Sequence, residues 1–213
     1  MTTQGITNEQ KVAIVTGAGS GVGKAAAELL SAAGYDVVLA ARTREKLEAT
    51  AQSCNGRSLI ACTDLCDPKA TRALVQKAVS HFGRLDALAN IAGHAPLVPI
   101  AQVTAELSQQ VIDTNLTCVV NLTAEALPVL RRGGGGVIVN VSSMASLDPF
   151  PGLGIYASAK AGLNMFTRVT AAEGAPDHIT ATVIAPGAIE TPMLRAVFDE
   201  QTIGPHQTLD PRT

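Results

Sequence analysis

The sequence is poor in aromatic and charged residues. It has no tryptophan, aromatic residues make up 3% of the chain, and charged residues make up 16%. The formal net charge is −2 and there is no long basic run, which predicts that the protein has no nucleic-acid partner. No apolar stretch approaches the length of a membrane span, so we expect no membrane partner either.

The four cysteines are scattered along the chain and fit no disulfide or metal pattern. Cys62 and Cys66 are the only close pair, and no second pair or nearby histidine completes a zinc site. We therefore expect reduced thiols and no bound metal. Residues 1–10 are polar and lack the apolar segment of a secretory signal, which predicts a flexible N-terminus and a cytoplasmic protein.

Apolar residues, in contrast, make up 46% of the 213 residues, enough for the core of one large domain. Short apolar runs alternate with longer helical stretches, as is typical of a doubly wound parallel sheet. The predicted strands are 12–15, 37–41, 58–62, 87–90, 137–141 and 179–184. The predicted helices are 24–33, 45–54, 69–82, 105–130 with a bend near Pro128, and 156–173. We predict an α/β fold of the Rossmann type, with three layers α/β/α, as a single domain over residues 11–213.

A glycine-rich turn, residues 16–23, lies where the first predicted strand meets the first helix. Glycines permit unusual backbone angles there and let a pyrophosphate approach the N–H groups at the start of a helix. This placement predicts a dinucleotide site. Lys24 is followed by Ala25, which lacks the hydroxyl that would hold magnesium, so an ATP-type loop is disfavoured.

The end of the second predicted strand bears on the choice of cofactor. A carboxylate at this position binds the ribose of NAD, whereas an arginine accepts the 2′-phosphate of NADP. The sequence here is Ala41-Arg42-Thr43, with no acid at the strand end. We therefore predict NADP(H), the alternative being that Arg42 only covers the strand end in solvent.

Three side chains form a candidate catalytic group. Tyr156 and Lys160 stand at i and i+4, on one face of a predicted helix, so an ammonium lies near a phenol and could lower its pKa for proton transfer. Ser143 follows the most clearly apolar strand and could bind a substrate oxygen as charge develops on it. Asn115 is an unusual residue for the interior of a helix.

Taken together and in this order, the motifs resemble those of the short-chain dehydrogenase/reductase family, in its single-domain, 3-oxoacyl reductase-like branch. The resemblance extends from Lys11 to Met193, and Ile91 replaces the second asparagine of the family's Asn-Asn-Ala-Gly motif. It implies a catalytic tetrad of Asn115, Ser143, Tyr156 and Lys160. It also implies cofactor contacts by Gly17, Ser20, Gly21, Val22, Gly23, Arg42, Thr43, Asp64, Leu65, Asn90, Ala92, Gly93, Tyr156, Lys160, Pro186, Gly187, Ile189 and Thr191.

The resemblance also implies a role for each member of the tetrad. Tyr156 would be the general acid in reduction and the general base in oxidation, and Lys160 would lower its pKa and hold the nicotinamide ribose. Ser143 would orient the substrate oxygen, while Asn115 would support a water-linked proton path. The substrate would be a ketone, an aldehyde or a 3-oxoacyl compound, or the corresponding secondary alcohol. An NADP(H)-sensing protein without turnover is the alternative, and a nucleotide-sugar epimerase is disfavoured because no larger substrate domain follows.

The chain departs from the family pattern near its C-terminus. Residues 194–201 could form a substrate-loop helix, but residues 203–213 are rich in proline, glycine and polar residues. We therefore expect the sheet to lack the family's final strand and helix. A homo-oligomer, either a dimer or a tetramer, is expected from the family. The residues expected to line the substrate pocket are His94, Pro96, Leu97, Ala145, Leu147, Phe150, Leu153, Met193 and Phe198.

Overall fold

The apolar runs form one sheet of six parallel strands in the computed structural model, which describes residues 10–213. The strands are β1 Val12–Thr16, β2 Asp36–Ala41, β3 Ser58–Cys62, β4 Ala87–Asn90, β5 Gly136–Val141 and β6 Ile179–Ile184. Their order is β3-β2-β1-β4-β5-β6, so the direction of winding reverses between β1 and β4. In such a sheet the carboxyl ends of the strands at the reversal form a ligand-binding crevice. The predicted doubly wound Rossmann fold is thus confirmed. The expectation of a flexible N-terminus over residues 1–10 falls, except for Gln10, outside the described residues.

Helices cover both faces of the sheet. They are α1 Gly21–Ala32, α2 Arg44–Gln52, α3 Pro68–Phe82, α4 Ala105–Ile112, α5 Cys118–Arg132, α6 Gly154–Gly174 and α7 Pro192–Arg195. Because side chains alternate along a strand, Ile14 packs with residues of α3, α5 and α6 in one apolar cluster. Its neighbour Val15 packs with residues of α1 and α2 in a second cluster. The two clusters hold the three layers together.

The predicted long helix 105–130 is interrupted earlier than expected. A π-helical turn, Asp113–Thr117, separates α4 from α5, whereas α5 continues past Pro128 to Arg132. Pro128 lies on the exposed side of the helix, where water can bind the carbonyl that proline leaves without a donor. The predicted bend near Pro128 is therefore wrong, because the interruption lies at Asp113–Thr117 instead.

The described chain has no strand after β6, in agreement with the polar composition of residues 203–213. The predicted helix 194–201 is reduced to the single turn of α7, Pro192–Arg195. The remaining residues return across the end of the sheet, where Ile189 and Leu209 form an isolated parallel bridge.

Candidate active site

A cleft of about 490 Å³ opens at the carboxyl ends of the strands, where the order of the sheet reverses. It brings together nearly all of the residues that the sequence predicted for cofactor and catalysis. Those that line it are Gly17, Ser20, Gly21, Val22, Gly23, Arg42, Thr43, Asp64, Leu65, Ala92, Gly93, Ser143, Tyr156, Lys160, Pro186, Gly187, Ile189 and Thr191.

The glycine-rich turn forms one end of the cleft, and its geometry fits a pyrophosphate. Gly17 has φ +67° and Gly21 has φ +52°, backbone conformations that favour glycine. A Cβ on Gly23 would lie 2.2 Å from the Gly17 carbonyl oxygen, so only glycine allows this close approach of helix and loop. Ser20 precedes α1 and its side chain makes no capping hydrogen bond, which leaves the hydroxyl and the helix N–H groups to face an anion.

Two cations stand at the end of β2. Arg42 and Lys46 both line the cleft, and neither side chain forms an ion pair or hydrogen bond within residues 10–213. Arg44 differs, because its guanidinium lies 3.5 Å from the Glu48 carboxylate. The sequence did not lead us to predict Lys46 as a residue of the site. The available signal was its position three residues after Thr43, where the first turn of α2 brings the side chain back towards the strand end.

Contacts with the glycine-rich turn hold Lys46 in this position. A Cβ built on Gly19 would lie 3.1 Å from the Cβ of Lys46, so the lysine stem packs directly against the loop. Thr50, one turn further along α2, donates its hydroxyl to the Ala18 carbonyl at 2.8 Å. The helix that carries Lys46 is therefore tied to the glycine-rich turn at this end of the cleft.

The proposed proton donor and its serine partner meet on the opposite wall. Ser143 directly follows Ser142 at the end of β5 and accepts a hydrogen bond from the Ala145 amide at 3.2 Å, while Tyr156 projects from the first turn of α6. Burial raises the pKa of Tyr156, and hydrogen bonding to the Ser143 side chain acts in the opposite direction. In the protein alone the phenol is thus protonated, and the lowering of its pKa expected from Lys160 does not appear.

Lys160 lies one turn further along α6 and is almost completely buried, with 3% of its surface exposed. Its Nζ donates a 2.7 Å hydrogen bond to the Val141 carbonyl and lies 5.8 Å from the centre of the Tyr156 ring. Burial lowers the pKa of Lys160 to about 8, an effect that the nearby Cys118 partly opposes. The ammonium form therefore still predominates at neutral pH.

Two of the predicted residues do not line the cleft. Asn115 is fully buried in the π-helical turn, where its amide donates to the carbonyls of Val111 and His94 and its oxygen accepts from the His94 amide. Asn90 donates to the Asn140 side chain across β4 and β5 at 2.8 Å. In this structure Asn115 holds the backbone of His94 behind the cleft, and Asn90 links the side chains of β4 and β5.

The remaining wall is apolar and comes mainly from the C-terminal residues. Of the side chains predicted for the substrate pocket, Ala145, Phe150, Leu153, Met193 and Phe198 line the cleft. The other four, His94, Pro96, Leu97 and Leu147, lie outside it. Leu194, Val197 and Ile203 complete the apolar wall and were not predicted.

Neither a metal site nor a membrane-spanning element is found in the described part of the chain. No group of three or more histidine, cysteine, aspartate or glutamate side chains between residues 10 and 213 is placed to hold a metal ion. No helix in this range is both long and apolar enough to cross a membrane.

Known proteins resemble this chain over most of its length. The sequence profile described as short chain dehydrogenase matches residues 11–202. L-xylulose reductase of Mus musculus is 37% identical over 189 residues, which are 88% of this chain and 75% of that protein. The 3-oxoacyl-(acyl-carrier-protein) reductase of Escherichia coli strain K12 is 34% identical over 198 residues, 92% of this chain and 80% of that protein.

A solved structure shows the same fold. The 3-ketoacyl-(acyl-carrier-protein) reductase from Brucella melitensis, complexed with NADH, superimposes with a TM-score of 0.88 at 30% sequence identity. The match covers 96% of this chain and 87% of the Brucella chain.

Proposed function

The chain belongs to the short-chain dehydrogenase family of oxidoreductases, and on this premise we propose that it transfers hydride between NADP(H) and a small carbonyl compound or secondary alcohol. The observation that carries the proposal is the placement of Ser143 and Tyr156 together on one wall of the cleft, one helical turn from buried Lys160. The glycine-rich turn at the other end of the cleft fits the pyrophosphate of the cofactor.

The proposed chemistry divides between the cofactor and the protein. When bound, the nicotinamide supplies the hydride in reduction and accepts it in oxidation. The Ser143 hydroxyl donates a hydrogen bond to the substrate oxygen, and the Tyr156 phenol transfers its proton to that oxygen during reduction. In oxidation the phenolate takes the proton back from the alcohol.

Lys160 assists this proton transfer through its charge. A tyrosine whose pKa is raised by burial stays protonated but releases its proton reluctantly, so the reaction needs a nearby positive charge to stabilise the phenolate. The Lys160 ammonium, 5.8 Å from the ring centre, is the cation placed to provide it. Lys160 would also hold the nicotinamide ribose when the cofactor is bound.

The preference for NADP(H) rests on the unpaired cations at the end of β2. Within residues 10–213, Arg42 and Lys46 face the cleft without a carboxylate partner. Ser20 and Thr43, whose side chains make no capping hydrogen bond, also line the cleft. This arrangement suits the two negative charges of a 2′-phosphate. The Brucella relative was solved with NADH, so the choice of cofactor depends on these residues of the present chain.

The apolar wall bears on the substrate. A pocket formed by Leu153, Phe198 and their neighbours favours a ketone, an aldehyde or a 3-oxoacyl compound over a highly charged sugar derivative. Two of the similar proteins are named as reductases of 3-oxoacyl or 3-ketoacyl compounds, which supports this class. Cytoplasmic location and assembly into a homo-oligomer remain predictions from the sequence and the family.

A tyrosine-to-phenylalanine pair tests the proposal. We expect Tyr156→Phe to lower kcat/KM for carbonyl reduction with NADPH by roughly a thousandfold, since positioned acid catalysis contributes about 10²–10⁴-fold. NADPH affinity, followed by cofactor fluorescence, should change less than about twofold. Tyr35→Phe is the matched control, because Tyr35 packs in the cluster under α1 and α2, outside the residues that line the cleft.

The two readouts separate the competing functions. Near-normal turnover in Tyr156→Phe would remove Tyr156 from the mechanism. Tight NADPH binding by the wild-type protein, with no reduction across a broad panel of carbonyl compounds, would instead favour a cofactor-sensing protein.

A further inference from the structure

The apolar wall of the cleft belongs to a loop that has little regular structure of its own. This segment, residues 188–209, is called the wall loop below. Its side chains in the cleft include Met193, Val197, Phe198 and Ile203. Apart from the single turn of α7 it contains only one short helical turn, and Gly204 is its one buried residue. Full apolar burial therefore contributes little to the shape of the wall loop, and polar contacts are needed to hold it.

The two ends of the wall loop are joined by backbone hydrogen bonds. The Leu209 amide donates to the Ala188 carbonyl and the Glu190 amide donates to the Leu209 carbonyl, both at 2.9 Å. These bonds close the loop at its base, but they leave the residues between 195 and 203 without support from the sheet.

Arg195 provides the support inside the loop. Its Nε donates to Oε1 of Glu190 at 2.6 Å, and its Nη2 pairs with the other carboxylate oxygen. The remaining nitrogen, Nη1, lies 2.8 Å from the Ile203 carbonyl and 3.5 Å from the Phe198 carbonyl. A planar guanidinium can hold a carboxylate with one edge and carbonyl groups with the other, which an ammonium cannot do.

The contacts of Arg195 are aimed at the residues that form the apolar wall. Both carbonyls that it holds belong to residues whose side chains line the cleft, Phe198 and Ile203. Its anchor, Glu190, directly precedes Thr191, which lies against the glycine-rich turn: a Cβ on Gly21 would be 3.0 Å from the Thr191 methyl group. The guanidinium thus connects the substrate wall to the cofactor end of the cleft.

We propose that Arg195, anchored by Glu190, is a positioning residue that holds the wall loop in place and thereby sets the preference for apolar substrates. The inference rests on the proposed carbonyl reduction and assigns to Arg195 no contact with the substrate. Without this residue the loop keeps its closed base, but Phe198 and Ile203 no longer hold a fixed surface against the substrate chain.

A series of methyl ketones of increasing chain length tests the proposal. In the wild-type protein kcat/KM should rise with each added methylene, by at most about fourfold when the methylene is fully buried. We expect Arg195→Gln to flatten this rise and to increase KM for the longest ketones roughly tenfold, with kcat changed less than about twofold. Arg195→Lys should fall between the two, because it keeps a charge for Glu190 but loses the carbonyl contacts.

Two further variants control for charge and for folding. Arg212→Gln removes a C-terminal arginine outside the wall loop, whose only ion pair among the described residues is a 4.0 Å contact with Glu28, and it should behave like the wild type. Glu190→Gln keeps Arg195 but weakens its anchor by removing the negative charge and one acceptor oxygen, so it should reproduce part of the effect even if Arg195→Gln folds poorly.

Limited proteolysis with chymotrypsin gives a readout that is independent of activity. Cleavage after Phe198 should be at least several-fold faster in Arg195→Gln than in the wild type or in Arg212→Gln, because proteases act on segments that open locally. If the wild type turns over no ketone, aldehyde, 3-oxoacyl compound or secondary alcohol, the proposed function fails, and the proteolysis alone decides the role of Arg195 in the loop. If the wild type is active and the chain-length dependence is unchanged in Arg195→Gln, the present inference is wrong. A fall in kcat that is equal for all ketones would also overturn it.

Discussion

At the scale of single residues, the cofactor end of the cleft is marked by two cations that have no carboxylate partner among residues 10–213. Two nearby arginines differ, because Arg44 is paired with Glu48 and Arg195 with Glu190. Arg42 and Lys46 face the cleft with no such partner among residues 10–213. An unpaired cation gains more from an added phosphate than a paired one, because no existing ion pair has to be broken.

Substitution of the two cations should therefore change the choice of cofactor. We expect Arg42→Gln and Lys46→Gln each to weaken NADPH binding roughly tenfold to hundredfold, since a hydrogen bond to a charged group contributes about 1.5–3 kcal/mol. NADH binding should stay within about twofold of wild type, because NADH lacks the 2′-phosphate. Arg44→Gln is the control, as its charge is already paired, and titrations of cofactor fluorescence measure all three. Equal losses of NADPH and NADH affinity would contradict the assignment.

Buried Lys160 should make the stability of the protein depend on pH. Its folded-state pKa of about 8 lies below the unfolded value of 10.5, so between these values the unfolded chain binds more protons and stability rises with pH. Relative to Lys160→Met, the wild type should gain about 2 kcal/mol in free energy of unfolding from pH 7 to pH 9.5. Urea unfolding of both proteins measures the difference, in which the titrations of Cys118 and Tyr156 largely cancel. A difference that is constant with pH would show that Lys160 keeps an ordinary pKa.

At the scale of elements, the sequence predicts structure well where a pattern is local. All six strands were located to within one or two residues at either end, because each is a short apolar run between turn-forming residues. The position of the interruption in the long helix was predicted wrongly, because that helix contains two residues that could mark it, Pro128 and Asn115. The side chain of Asn115 bonds to the backbone of His94, a residue distant in sequence, and no periodicity within the helix indicates such a contact.

The same distinction applies to the site. Motif residues on the strand ends and the glycine-rich turn could be predicted because their roles follow from position within one βα unit. Val197 and Ile203 could not, since their place in the cleft depends on the path of an irregular loop. Lys46 is intermediate: its helix was predicted, but its packing against Gly19 is a contact between two elements.

The junction of β1, the glycine-rich turn and α1 permits a direct test of close packing. In Gly23→Ala the new Cβ would meet the Gly17 carbonyl at 2.2 Å, so the loop or the helix must shift. We expect a loss of about 1–3 kcal/mol in free energy of unfolding, as for other overpacked sites, together with weaker NADPH binding. Gly187→Ala is the control for stability, because no atom lies within 4 Å of its Cβ and the change should stay within about 0.5 kcal/mol. Equal stability of the two variants would show that the loop relaxes freely around Gly23.

At the scale of the whole molecule, the cleft joins parts of the chain that are otherwise linked mainly through the sheet. Its walls include the glycine-rich turn before α1, the start of α6 and the wall loop. The wall loop and the glycine-rich turn meet through Thr191 and Gly21, but the loop itself has little buried surface. A dinucleotide lying along the cleft would contact all three regions at once, and these contacts would exist only in the folded state.

Cofactor binding should therefore stabilise the whole molecule against unfolding. At a free NADPH concentration one hundred times its Kd we expect about 2.7 kcal/mol of added stability, which for a chain of this size corresponds to a rise in Tm of roughly 5–10 °C. NADH at the same concentration should give a smaller rise, and Arg42→Gln should remove most of the difference between the two cofactors. Thermal unfolding followed by circular dichroism measures these shifts. Because a rise in Tm requires only binding, this measurement also separates two kinds of failure. If the cofactor assignment is wrong, Tm stays unchanged with either nucleotide. If only the catalytic assignment is wrong, the rise in Tm with NADPH remains.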